Sequence, residues 1–119
     1  MSRTACIIIA NGIDELELGI IIDILNRADI EYFLVGLKKG EILTSTNVKI
    51  QVEKTVDDVL NDSFDVIVLP GGNIATRAMS VSEKVRTILS TQCRNKKLIA
   101  ASGTFPFILS ANNICIGNS

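Results

Sequence analysis

Three short stretches of the chain carry residue types that could act on a substrate. The first is Leu98-Ile99-Ala100-Ala101-Ser102-Gly103-Thr104-Phe105-Pro106-Phe107-Ile108-Leu109, an apolar run that breaks over three small residues and then restarts. It predicts a strand, a tight elbow and a helix, with Pro106 in the first helical turn, where its missing N–H costs nothing. An elbow at the carboxyl end of a central strand is where an open α/β sheet keeps a nucleophile, with backbone N–H groups aimed at it. Ser102, Gly103 and Thr104 stand at that elbow here. The second stretch is Pro70-Gly71-Gly72-Asn73, directly after the apolar run that ends at Leu69. Paired glycines there leave the backbone bare, so N–H groups can face an anion or an oxyanion, although the same pair also serves plain turn chemistry.

The third is Glu17. On a wheel of about 100° per residue, the helix beginning at Asp14 and running to about Arg27 or Ala28 gathers Ile13, Leu18, Ile20, Ile21, Ile22, Ile24, Leu25 and Ala28 on one broad arc. Glu17 falls inside it. Asp14 leans the same way, but capping and the helix dipole account for an acid in the first turn. Glu17 is read either as a carboxylate reaching the rim of the helix to meet water or a backbone donor, or as a buried carboxyl hydrogen-bonded to whatever occupies the elbow. The arc is too wide for one contact. Leu18 and Ile22 extend it, and they are expected to face a second subunit in a homodimer while the rest covers a sheet.

The elements that must position these residues follow one another as strands and helices. Thr4 to Ala10 predicts a fully buried first strand, and Ile30 to Leu37 a second, ended by Lys38-Lys39-Gly40. Ile42 to Thr44 and Val48 to Val52 predict a hairpin around Ser45-Thr46-Asn47, and Thr55 caps a short helix from Val56 to Leu60. Phe64 to Leu69 is another buried strand. Ser80-Val81-Ser82-Glu83 fits a capping box for a helix carrying Val85, Ile88 and Leu89. Lys96 to Ser102 is the strand of the elbow, and Pro106 to Ser110 a short helix. This alternation implies one parallel α/β sheet with right-handed crossovers.

The totals bound the function. The 119 residues suffice for a single domain, 1–119, with 47% hydrophobic and 21% charged residues and a net charge of −1. That composition offers no field to hold nucleic acid or an anionic membrane. The apolar stretch Cys6 to Ala10 is too short for a signal segment or a bilayer span, so a cytoplasmic location is expected. Cys6, Cys93 and Cys115 are odd in number and widely spaced, so no disulfide framework is expected. The sequence contains no histidine. A zinc site would lack its usual nitrogen ligands, and no Ser-His or Cys-His pair can form within these residues. Neither metal nor cofactor is expected.

Ala10-Asn11-Gly12-Ile13-Asp14-Glu15-Leu16-Glu17, then Asp65-Val66-Ile67-Val68-Leu69-Pro70-Gly71-Gly72-Asn73, then Leu98-Ile99-Ala100-Ala101 together resemble the DJ-1/ThiJ/PfpI family in order and spacing. The resemblance covers essentially the whole chain. It implies a flavodoxin-like (Rossmann-like) parallel sheet sandwiched by helices, of the class I glutamine amidotransferase-like type. It also implies a reactive cysteine at the elbow, hydrogen-bonded to a glutamate of the first helix and facing N–H groups of the Gly-Gly turn. By position Glu17 would be that glutamate, and Gly71, Gly72, Asn73 and Thr104 would supply the backbone lining an oxyanion or ligand site. Counting on from Ala100-Ala101 or back from Pro106, the cysteine position is Gly103. Family members continue with further strands, a C-terminal helix and, in several branches, a histidine near the cysteine. The chain is therefore expected to be a shortened, C-terminally truncated version of the fold.

Three functions compete on these grounds. The family's stress-response chaperone, deglycase, glyoxalase or peptidase chemistry needs a thiolate that Gly103 cannot supply, so the first is a dimeric, catalytically impaired pseudoenzyme that binds a partner or a small carbonyl metabolite. The second is an enzyme recruiting Ser102 or Thr104, for which no base is recognisable by spacing. The third is a flavodoxin-like signalling or nucleotide module. Ala10-Asn11 stands where a receiver domain would want paired acids, and no phosphate-loop pattern appears.

Overall fold

The computed structural model describes residues 3–52 and 54–101, with Asn73 described through its backbone alone. The first element, β1 (Thr4–Ile9), is the central strand of the sheet. Ala5 to Ile9 are fully inaccessible, as an uninterrupted apolar run must be when both faces of a strand are covered. Helix α1 (Glu15–Arg27) follows, capped by Asp14, whose side chain accepts from the N–H groups of Leu16 and Glu17. Then come β2 (Glu31–Gly36), the antiparallel hairpin of β3 (Gly40–Leu43) and β4 (Lys49–Val52), and the two-residue β5 (Lys54–Thr55). β6 (Val66–Leu69), α2 (Asn73–Ser80), α3 (Glu83–Arg94) and β7 (Leu98–Ala101) complete the described elements.

Five strands form one parallel sheet in the order β5-β2-β1-β6-β7. After β1 the chain moves outward to β2, and later returns to lay β6 on the other side of β1. This reversal is a topological switch point, and open α/β sheets place their sites in the crevice beyond the carboxyl ends of the strands at such a point, here β1 and β6. The flavodoxin-like reading of the sequence is thereby met.

Several expectations need correction. α1 divides its apolar residues between two faces. Leu18 and Leu25 are buried and Ile21 and Ile22 pack against the core, whereas Leu16, Ile20 and Ile24 are 72%, 52% and 57% exposed. Leu18, assigned above to a partner, belongs to the core: the position of the sheet relative to α1 decides which part of the arc is covered, and a wheel does not contain it. Residues 56–60 form consecutive turns instead of a helix, with Asp58 N–H donating to Thr55 O and Asp62 N–H to Val59 O. Asp58 also accepts from the Thr55 N–H, which holds its carboxyl below the usual aspartate range. The cap of α3 is Ser82, accepting from Val85 N–H, while the Ser80 hydroxyl donates back to Arg77 O. α2 is an addition to the elements expected from the sequence. Cys93 is disulfide-bonded, against the expectation of a thiol there.

One buried polar side chain ties the sheet to its helical layer. Gln92 of α3 donates through Nε2 to Phe64 O at 3.0 Å and Leu98 O at 2.9 Å, the carbonyls preceding β6 and opening β7. With Gln92 only 4% exposed, this pair fixes β7 beside β6 at the end opposite the crevice. Cys6 lies in the middle of β1 with no accessible surface, and burial, with a smaller push from Asp62, raises its thiol to about 12. It is a packing residue.

Candidate functional site

Three loops meet over the carboxyl ends of β1 and β6, and the packing between them is backbone against backbone. The β1–α1 loop supplies Asn11 to Asp14, the β6–α2 loop supplies Pro70 to Gly72, and the turn between β3 and β4 supplies Leu43 to Thr46. Asp14 N–H donates to Gly71 O at 3.0 Å, and Ser45 N–H donates to Ile13 O at 2.8 Å. Gly72 takes φ +126°, and a methyl group on it would lie 2.5 Å from Gly12 O and 3.0 Å from Asp14 N. Only glycine fits there. Gly12, at φ +87°, faces the reverse constraint, since a methyl group on it would meet Ile74 Cβ at 2.7 Å.

Glu17 enters this frame from the first turn of α1. The Asp14 cap sets that turn, and the half-buried Glu17 side chain reaches the neighbouring loop, where its carboxyl group rests against Gly71. A methyl group at Gly71 would stand 2.7 Å from Oε2 and 3.2 Å from Oε1 and Cδ. The glutamate and the Gly-Gly turn, some fifty positions apart in sequence, are therefore in contact across the crevice. A carboxyl held against bare backbone at a strand's carboxyl end can accept a proton or hydrogen-bond a small polar ligand seated beside it.

Asn73 opens α2 directly after Gly72, so its backbone stands at the same crevice. β7 ends at Ala101, paired with Leu69, two residues before Gly71. Ser102, Gly103 and Thr104, and the helix expected from Pro106 to Ser110, lie outside the described residues. Among the described residues no group of three or more acidic, cysteine or histidine side chains could hold a metal ion, and no helix is long and apolar enough to cross a membrane.

Residues that sequence reasoning missed complete the frame. Thr44, buried, donates its hydroxyl to Glu15 Oε1 at 2.7 Å, and the Thr46 hydroxyl donates to the same oxygen. Asn11 Oδ1 accepts from Leu43 N–H at 2.9 Å, and Gly12 N–H donates to Leu43 O at 2.8 Å. These contacts clamp the hairpin onto the loop and the first turn of α1. Their partners lie about thirty positions apart, and only the Asn11-Gly12 pair, which sequence reading takes as the end of a strand, carries a local signal.

The DJ-1/PfpI family model matches residues 3–119. Protein dj-1beta of Drosophila melanogaster is 38% identical over 120 residues, covering all of this chain and 64% of its own length. The Parkinson disease protein 7 homolog of Danio rerio is 33% identical, covering 98% of this chain and 63% of its own. The crystal structure of Drosophila DJ-1beta superposes with a TM-score of 0.91 at 35% identity, covering 97% of this chain and 62% of that one. More distant relatives are named a glutathione-independent glyoxalase in Caenorhabditis elegans and a deglycase in Thermococcus kodakarensis, at 26% and 27% identity. The chain thus spans slightly under two thirds of the length of the first relatives it matches.

Proposed function

Because the chain belongs to the DJ-1/PfpI family, we propose that its crevice binds a small carbonyl compound or a comparably small polar group without turning it over through a thiolate. The observation that carries this reading is the Glu17 carboxyl lying against Gly71, with 2.7 Å between Oε2 and the place a methyl group would take. That contact covers the buried Gly71 with a side-chain carboxyl, which a small polar ligand would have to meet or displace to reach the Gly-Gly backbone. Gly103 stands where the resemblance puts the reactive cysteine, so covalent attack on a carbonyl carbon has no sulfur to begin it. The relatives named as glyoxalase and deglycase supply the carbonyl class of ligand. We further propose that the chain works as a cytoplasmic homodimer in a chaperone-like role, with Leu16, Ile20 and Ile24 of α1 as the apolar surface that a second copy covers.

Nuclear magnetic resonance of the 15N-labelled chain tests the binding reading. Titration with hydroxyacetone, a small carbonyl that does not modify lysine or arginine readily, should shift the amides of Gly71, Gly72 and Glu17 in a saturable way. Shifts scattered over the surface, or none up to the highest concentration that leaves the fold intact, would remove it.

A further inference from the structure

Asn11-Gly12 is the one Asn-Gly pair in the sequence. In such a pair the main-chain nitrogen of glycine attacks the side-chain amide carbon of asparagine with the least hindrance, because glycine carries no Cβ. Here both reactants are restrained by the same neighbour. Gly12 N–H, which must lose its proton to attack, donates to Leu43 O at 2.8 Å. The side chain under attack is held through Asn11 Oδ1 by Leu43 N–H at 2.9 Å. Leu43 is the last residue of β3, so lifting that end of the hairpin frees attacker and target together. The lift is opposed by Ser45 N–H on Ile13 O and by Glu15, whose Oε1 accepts from the Thr44 and Thr46 hydroxyls. Asn11 itself is exposed, so water reaches it.

We propose that Asn11-Gly12 is a spontaneous deamidation site gated by the β3–β4 hairpin. When the hairpin opens, the Gly12 N–Cγ bond forms and the Asn11 Cγ–Nδ2 bond breaks. Ammonia leaves, carrying the proton that Gly12 gave up. Water then opens the five-membered imide at either carbonyl, yielding aspartate or isoaspartate. The isoaspartate product inserts a methylene into the main chain just before Gly12, whose carbonyl is packed against Gly72 with no room for one carbon atom. Such a change unseats the Gly71-Gly72 turn from the β1–α1 loop, so the gate protects the site from ageing. This holds whatever the crevice binds.

The test is peptide mass spectrometry of the 119-residue chain after incubation at mildly alkaline pH and body temperature, folded and in urea, with isoaspartate assayed by enzymatic methyl transfer. Deamidation at Asn11 should be slower in the folded chain by about tenfold or more, the ratio that a local opening free energy of about 1.4 kcal/mol sets. Glu15→Ala should raise the folded rate several-fold and leave the rate in urea unchanged. Should Glu15→Ala fail to fold by circular dichroism, Thr46→Val is read in its place. Equal rates in folded and unfolded wild-type chain would overturn the gate, and a folded clamp variant with the wild-type rate would overturn the assignment of the gate to the hairpin.

Discussion

Alanine at Gly72 and alanine at Gly71, adjacent substitutions of the same size, should have very different consequences. At Gly72 the new methyl group meets Gly12 O at 2.5 Å, Asp14 N at 3.0 Å and Ile13 Cα at 3.1 Å, all main-chain atoms that cannot rotate away. The residue must also hold φ +126°. Backbone strain of about 1–3 kcal/mol and overpacking of about 1–3 kcal/mol together predict a loss of about 2–6 kcal/mol. At Gly71 the obstacle is the end of a side chain, the Glu17 carboxyl at 2.7 Å, which can swing aside. Alanine also stiffens the unfolded chain, a gain of about 0.4–1 kcal/mol, so Gly71→Ala should stay within about 1 kcal/mol of wild type. Urea unfolding followed by circular dichroism, with slopes compared to confirm an unchanged unfolded state, measures both. A double-mutant cycle adds the contact itself. Glu17→Ala relieves the crowding that Gly71→Ala introduces, so the pair should couple by about 0.5 kcal/mol or more. Equal losses at the two glycines, or additive effects of Glu17 and Gly71, would refute the packing described for this turn.

Gln92→Leu should destabilise by about 1–3 kcal/mol, because it leaves the carbonyls of Phe64 and Leu98 without their donor, and amide exchange in β7 should rise before that in β1; uniform exchange would assign Gln92 no special hold on β7. Cys6 should resist iodoacetamide in the folded chain and react fully in urea. Its folded thiol ionises only near 12 while the unfolded one ionises from 9.0, so the unfolded chain gains charge first and stability should fall as pH rises through that interval. A midpoint that stays constant across the interval would contradict the burial. Ile20→Lys should leave the fold intact and lower the mass measured by light scattering to that of one chain, whereas Leu18→Lys should unfold it, since Leu18 is buried and Ile20 is not; a dimer surviving Ile20→Lys would move the interface elsewhere.

What is legible in the sequence follows from uninterrupted patterns. β1 and β6 read plainly because strands covered on both faces are nearly pure aliphatic runs, and α3 because Val85, Ile88 and Leu89 repeat at helical spacing. α2 is hidden by its length, eight residues with no side-chain cap, preceded by glycines that read as loop. The α1 arc is visibly too wide for one surface, but its division between sheet and solvent depends on where the sheet lies. Of the candidate site, Glu17 and the Gly-Gly turn are each visible alone, and their meeting is implied only by the family resemblance. The Glu15, Thr44, Thr46 and Asn11 contacts are illegible, because single polar residues about thirty positions apart form no pattern.

The central claim is that the crevice keeps the family's frame and lacks its nucleophile, and methylglyoxal consumption measures that directly. The wild-type chain should consume none above buffer, and Gly103→Cys should acquire both a thiol that reacts faster than Cys6 and measurable turnover. That turnover should be lost again when Glu17→Ala is added. Turnover by the wild-type chain that disappears in Ser102→Ala would contradict the claim and establish a hydroxyl as the working group.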